Sequence, residues 1–315
     1  MIRVTFISAI IFISLVQGVY SANFDEIERN GATITYEEGL KNAALEILGT
    51  VPAIRNTIQS RVGLSLDFPF HIIIFKAREN FIKQAGNDLV AAYAVPAKSL
   101  IVMDLSQMRV HPLNIELIIM HEITHLVLHH FIKKGNLPKW FDEGISEWVS
   151  GISDMINPGK KDVLKRAVIS RKVIPLYRLS HSFPRDRNGF KLAYEQSRSM
   201  VEYIENEYGE DALRSIIMRL KNGGEFNEAV RNEFSITFAE LERSWLKDID
   251  VRYTWLGYIS NNIYWILFVF GALIVVVGFI RLRWRIKNYK DDDEEDEIAL
   301  LEKLYRNDGQ DNENK

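Results

Sequence analysis

Residues 121–125 read His-Glu-Ile-Thr-His inside an apolar-periodic stretch, Leu113 to Phe131, whose pattern predicts one helix. Histidines four residues apart lie about 40° apart around a helix and one turn apart along it, so both imidazoles can reach one metal ion. Glu122 projects to the neighbouring side of that face, where it can contact a water without displacing it from the metal. Two nitrogen ligands beside a carboxylate base are the parts that metal-assisted hydrolysis needs. A catalytic zinc also takes a third ligand from a separate element and keeps one position open. Glu143, in the run Trp140-Phe141-Asp142-Glu143-Gly144-Ile145-Ser146-Glu147-Trp148, meets that requirement. The segment Gly135-Asn136-Leu137-Pro138 breaks the first helix, Pro138 suits the start of the next, and Trp140, Gly144, Ile145 and Trp148 give it a packing face. Glu147, one turn beyond Glu143, is a candidate acceptor for the second ring proton of a zinc histidine, His121 first among them.

HEITH followed after 17 residues by the Glu of WFDEGISEW resembles the gluzincin clan of metallopeptidases, and within it the peptidase MA-like group. The resemblance continues through Phe183-Pro184-Arg185-Asp186, Ala193-Tyr194-Glu195-Gln196-Ser197, Val201-Glu202-Tyr203-Ile204 and Tyr208-Gly209, and covers roughly residues 65 to 250. It implies a zinc peptidase in which His121, His125 and Glu143 bind one zinc ion and Glu122 is the general base. Tyr194, in AYEQS, resembles the Tyr-Glu-Lys-Gly tyrosine of the zinc aminopeptidases. The implied role is oxyanion stabilisation, since a neutral phenol can donate to an oxygen that gains charge only in the transition state. Thermolysin-like gluzincins use a histidine for that task, which makes His181, in the loop Arg178-Leu179-Ser180-His181-Ser182, the alternative donor. Zinc aminopeptidases hold the substrate amine with an acidic residue of a Gly-x-Met-Glu-Asn segment ahead of the metal helix. This chain has no Glu between Glu79 and Glu116, and its ligand spacing is one residue short of theirs. Endopeptidase action on a peptide or protein substrate is therefore the expectation.

Each of these residues also has a plainer reading. The histidine pair could be satisfied core, Glu143 a carboxylate favoured near a helix N-terminus, Glu147 a solvated charge, and Tyr194 a half-buried packing residue. His129 continues the spacing but lies about 12 Å along the helix from His121, too far to share one zinc. Like His130, it is expected to pack or face solvent. The longer metzincin pattern fails, because Leu128 and Phe131 stand where it needs Gly and His. The alternative function is a non-catalytic gluzincin-like module tethered to the membrane for assembly or sensing. Glu122 argues against it, since a structural zinc needs ligands but no base.

Strands are expected near Phe70–Phe75 and Ser99–Asp104, with another near Val90–Val95. A helix is expected over Arg78–Gly86, an amphipathic one from Tyr36 to Val62, and an almost wholly helical pattern from Leu113 to about Arg252. Together these make an α+β fold: a small mixed-sheet lobe, the metal helix and a helical C-terminal lobe, with the cleft between them.

The ends of the chain suggest where the chemistry happens. Met1-Ile2-Arg3, an apolar run from Val4 to Val16, and small residues at Ser21 and Ala22 have the layout of a secretory signal (1–22), whether cleaved or kept as an anchor. The domain 23–255 would then be periplasmic or extracellular. Nothing from Tyr253 to Ile280 is charged, and the core Ile263–Ile280 fits a single transmembrane helix, assigned to 256–281. Trp255, Tyr258, Tyr264 and Trp265 resemble an interfacial belt at one end. Arg281, Arg283, Arg285, Lys287 and Lys290 at the other end place the tail 282–315 in the cytoplasm. In that tail Asp291–Glu297 reads as a solvated, disordered acidic block, and Ile298–Tyr305 as a short helix that could meet a cytoplasmic partner. The net charge of -3 implies no nucleic-acid partner, and the absence of cysteine excludes disulfides and zinc-thiolate sites.

Overall fold

In the computed structural model, which describes residues 24–86, 90–106, 114–133, 135–152 and 162–310, the first structured feature is a tight hairpin. Asn30 and Gly31 have φ of 56° and 75°, left-handed at both positions, as the two-residue turn matching the twist of antiparallel strands requires. They join β1 (Phe24–Arg29) to β2 (Ala32–Glu37). Tyr36 therefore lies in a strand, and the helix expected from it begins only at Lys41. The reason is the turn: Asn-Gly followed by Ala-Thr-Ile-Thr-Tyr, rich in β-branched residues, favours extended backbone up to Glu37.

The sheet has five strands in the order β1-β2-β3-β5-β4, completed by β3 (Phe70–Phe75), β4 (Ala92–Val95) and β5 (Leu100–Asp104). β2, β3 and β5 run parallel, and β1 and β4 are antiparallel edges, so the sheet is mixed as expected. The two central strands, FHIIIF and LIVMD, are nearly continuous apolar runs because both of their faces are covered. On one face Phe81 of α2 (Arg78–Ala85) packs with Ile73, Phe75, Leu100 and Val102. α1 (Lys41–Val62) buries Ala44, Ile47, Leu48, Val51, Ile54, Ile58 and Val62 at helical spacing and packs on β2 and on the metal helix.

From residue 115 onward the described chain is helical. α3 (Ile115–Phe131) is followed by α4 (Lys139–Ser150), α5 (Asp162–Ile169), α6 (Leu176–Leu179), α7 (Arg187–Tyr208), α8 (Glu210–Lys221), α9 (Phe226–Phe234) and α10 (Phe238–Gln310). Trp140 of α4 is fully buried against Phe141, Phe226 and Phe238, which centres the helical lobe on that helix. At its other end Arg61 of α1 donates to the carbonyl of Trp148 at 2.6 Å, meeting an acceptor of the last turn, and its guanidinium lies 4.3 Å from the Trp148 ring.

The chain divides into two compact units, residues 1–251 and 252–315. Within the second, Asn262–Ile286 is a helical stretch of 25 residues long and apolar enough to cross a membrane, and large side chains such as Trp265, Phe268 and Val275 are exposed along it. The tail differs from expectation: the helix continues through the acidic block to Gln310. Between Phe279 and Asp308 there is no Gly or Pro to break it, and most residues there are good helix formers. The segment read as a secretory signal, 1–22, lies outside the described residues, as does Leu113.

Candidate metal centre

α3 starts where the Asn114 side chain accepts the backbone N–H of Glu116 at 2.9 Å, and it is buried continuously from Ile118 to Leu128. Amphipathic pattern alone would leave half of such a helix wet. Here β4 and β5 cover one side and α1 and α4 the others, so His121, Glu122 and His125 sit in an enclosed interior. α4 brings Glu143 to the same place. Nε2 of His121 and Nε2 of His125 are 3.2 Å apart, and Oε2 of Glu143 lies 3.8 and 3.4 Å from them.

Those spacings test whether a metal fits. A tetrahedral ion with ligands at about 2.0–2.1 Å needs ligand atoms about 3.3–3.4 Å apart, and the three separations bracket that value. The Glu143 Oε2 atom is buried without a hydrogen-bond partner, as a carboxylate oxygen reserved for a cation would be. His121, His125 and Glu143 also form the one group of potential metal ligands found among the described residues.

The surroundings set the charge states. Burial works to raise the Glu143 pKa, but the neighbouring His125 and His121 outweigh it and hold the carboxyl well below the usual range. For His125, burial works to lower the pKa, and the carboxylates of Asp142 and Glu143 overcome it and push it well above the ordinary value. Asp142 was not among the residues singled out from sequence. Its Oδ1 lies 2.8 Å from His125 Nδ1 and its Oδ2 2.8 Å from His129 Nε2, so one buried carboxylate bridges both rings. Ser146 Oγ is a further neighbour of His125 Nδ1, at 3.2 Å. Once the ring loses its second proton, the Nδ1 proton held by Asp142 leaves the lone pair on Nε2, toward the cluster.

Two expectations change. The Nδ1 atom of His121 is buried with no hydrogen-bond partner, so Glu147 does not orient that ring. Glu147 shares the face of α4 that turns to α7, where its charge acts on Tyr194 instead. His129, expected to pack or face solvent, is the outer partner of Asp142. The signal was present in the four-residue step from His125 to His129, set opposite the acid that precedes Glu143. His130 does pack, stacked on Phe68 with ring centroids 4.0 Å apart.

Glu122 is buried, and its pKa is raised by that burial and by Glu143, against the lowering effect of both histidines and of a hydrogen bond from the Ala94 backbone on β4. Tyr194 stands on the second turn of α7 between the rings of Phe183 and Phe190. Burial, the carboxylates of Glu143 and Glu122, and a hydrogen bond to Glu143 raise its pKa well above that of free tyrosine, so the hydroxyl stays protonated. His181 is exposed at the end of α6, with Nδ1 3.3 Å from the carbonyl of Tyr177. Of the two candidate donors, Tyr194 is the one beside the cluster.

α4 and α7 meet closely. A Cβ on Gly144 would lie 2.6 Å from the backbone oxygen of Ser197 and 2.7 Å from Val201 Cγ2. Gly144 is thus what lets the helix of Glu143 approach the helix of Tyr194.

Residues 58–250, more than half of the chain and the whole of this site, match the family model of the Peptidase MA superfamily. The chain belongs to that superfamily. A Peptidase MA chain with a buried His-His-Glu cluster is a zinc-peptidase-like module. YhcO of Bacillus subtilis (strain 168), an uncharacterized protein, is 22% identical over 211 residues, covering 61% of each chain, so the present chain spans less than two thirds of that relative. Among solved structures, an M1 zinc metallopeptidase from Deinococcus radiodurans is similar with a TM-score of 0.41 and 14% identity, over 71% of this chain and 50% of that one. Yeast LTA4 hydrolase in complex with bestatin gives a TM-score of 0.45 and 13% identity, over 73% and 38%.

Proposed function

We propose that the chain is a membrane-anchored zinc endopeptidase whose domain lies outside the cytoplasm. His121, His125 and Glu143 would hold the zinc ion, Glu122 would act as general base and Tyr194 as oxyanion donor. The observation that carries this reading is the convergence of two Nε2 atoms and one carboxylate oxygen at the edge lengths of a zinc tetrahedron, with a buried Glu122 beside them. Zinc held by these three residues would supply Lewis-acid polarisation of the peptide carbonyl and acidification of water.

The protein groups do the proton work. Glu122 takes a proton from the attacking water as the new C–O bond forms and returns it to the amine as the C–N bond breaks. Tyr194 stays neutral and donates to the carbonyl oxygen as charge builds on it. Asp142 keeps the Nδ1 proton of His125 in place, so that the ring does not turn its lone pair away. The basic residues after Ile280 support a cytoplasmic tail, with the apolar part of the helix ahead of them as the anchor.

The test is purified full-length protein with bound metal measured and an unstructured protein offered as substrate. One zinc per chain and internal cleavage are expected. Glu122→Gln should keep the zinc and lose turnover. A chain that binds no zinc, or a Glu122→Gln variant as active as the parent, would refute the mechanism.

A further inference from the structure

Between Val163 and Tyr194 the chain carries eight lysines and arginines and one acid, Asp186. This stretch joins the helix that bears Glu143 to the helix that bears Tyr194. The Asp186 carboxylate is occupied, accepting the backbone N–H of Gly189 at 2.9 Å as the cap of α7. Arg171, Lys172, Arg178, Arg185, Arg187 and Lys191 are all exposed, and among the described residues none of them has a carboxylate partner. Further along the chain the pattern changes: Arg198 pairs with Glu202 later on α7, Arg214 with Glu210 and Asp211 on α8, and Arg219 with Glu233. Glu242 does reach the stretch, but its carboxylate accepts the backbone N–H of Leu176 at 2.7 Å. Arg178 has only a neutral companion, the hydroxyl of Tyr177 at 3.1 Å.

The stretch is fastened beside the site. Ser180 accepts the N–H of Lys139 at the start of α4 (3.0 Å), and Phe183 meets the Tyr194 ring edge-on with centroids 5.3 Å apart. The Gln196 side chain takes both backbone groups of Ile174, accepting its N–H at 2.9 Å and donating to its carbonyl at 2.7 Å. Unpaired charge of one sign, held next to a buried centre, attracts polypeptide of the other sign and is strongest at low salt.

We propose that this basic stretch is a docking rim for acidic polypeptide, selecting substrates with Asp or Glu clustered beside the bond to be cut. The proposal rests on the peptidase reading, and binding can be measured apart from cleavage. Full-length Glu122→Gln protein in phosphatidylcholine nanodiscs would be titrated with two labelled peptides sharing an apolar centre, one flanked by Asp and Glu, the other by Ser and Gln. The acidic peptide should bind about tenfold tighter at about 0.05 M salt and lose most of that advantage near 0.5 M. Arg178→Glu with Arg185→Glu should remove the preference, whereas Lys41→Glu with Arg231→Glu, an equal change of charge on α1 and α9, should leave it.

Equal binding of the two peptides, or equal loss in both double variants, would overturn the proposal. So would a surface that binds phosphatidylglycerol vesicles through Arg178 and Arg185 and shows no peptide preference. A wild-type chain that binds the acidic peptide in this way but cuts neither would defeat the peptidase reading and leave the rim standing. One that cuts both at equal efficiency would do the opposite.

Discussion

The two sides of α4 treat the metal centre differently. On the side facing α3, Asp142 and Ser146 gather around His125 and His129, and the contacts are ring to carboxylate or hydroxyl at 2.8–3.2 Å. On the side facing α7, Glu143 and Glu147 act on the phenol of Tyr194, and His121 nearby has no partner for its outer nitrogen. One side holds the His125 ring in place. On the other, burial and the nearby carboxylates keep the Tyr194 hydroxyl protonated. The proposed roles divide along the same line, with Asp142 positioning His125, Tyr194 meeting the reacting carbonyl and Glu143 between them serving the metal, so substitutions at Asp142 and Tyr194 should separate binding from rate.

The largest effect should come from the α7 side. Tyr194→Phe removes only the hydroxyl, so kcat and kcat/KM should fall together by about 10²- to 10³-fold with zinc content and KM nearly unchanged. His181→Ala, by comparison, should cost less than about tenfold. Zinc loss from the Tyr194 variant would erase the division between the faces.

Next in size is the α3 side. Asp142→Ala should weaken zinc binding by about 10- to 100-fold in a chelator competition, and Asn at that position, which still accepts the Nδ1 proton, should cost less. Glu147→Ala should change zinc affinity less than about threefold. Equal weakening by the two alanines would show that both faces hold the metal.

Acidity sharpens the same contrast. In the metal-free arrangement His125 holds its proton to a higher pH than ordinary histidine, and that proton must leave before Nε2 can bind a cation. Apparent zinc affinity should therefore keep rising with pH beyond the ordinary histidine range, up to the raised pKa of His125. A competition series that levels off near about pH 6.5 would argue against the Asp142 contact. Asp142→Asn should shift the plateau to lower pH. The smallest expected effect is that of His129→Gln, which keeps a donor for Asp142 and should alter zinc affinity by only a few-fold.

The parts of this site that could be read in the sequence are those contained within one element. His121, Glu122 and His125 lie on one helix, and their relation follows from its pitch; β3 and the helix α2 after it are likewise runs whose composition declares them. The hairpin of β1 and β2 was missed: its signal is Asn30-Gly31, but the amphipathic run that follows drew the helix forward to Tyr36. Contacts between elements were harder. Whether Asp142 or Glu147 meets a histidine depends on how α4 is rolled against α3, and nothing local to either helix states that angle. Tyr194 came from the resemblance of AYEQS to the tyrosine segment of zinc aminopeptidases, where the residues alone offered no choice between it and His181.

Gly144 carries that roll angle. With no room for even one methyl group against Ser197 and Val201, the contact between α4 and α7 is at its minimum separation and acts as a gauge block between Glu143 and Tyr194. Any side chain there must pry the helices apart at the point where the ligand and the phenol face each other. Tolerance at position 144 is therefore set by alignment rather than by the stability of either helix, and a variant that still folds can be expected to have its two halves out of register.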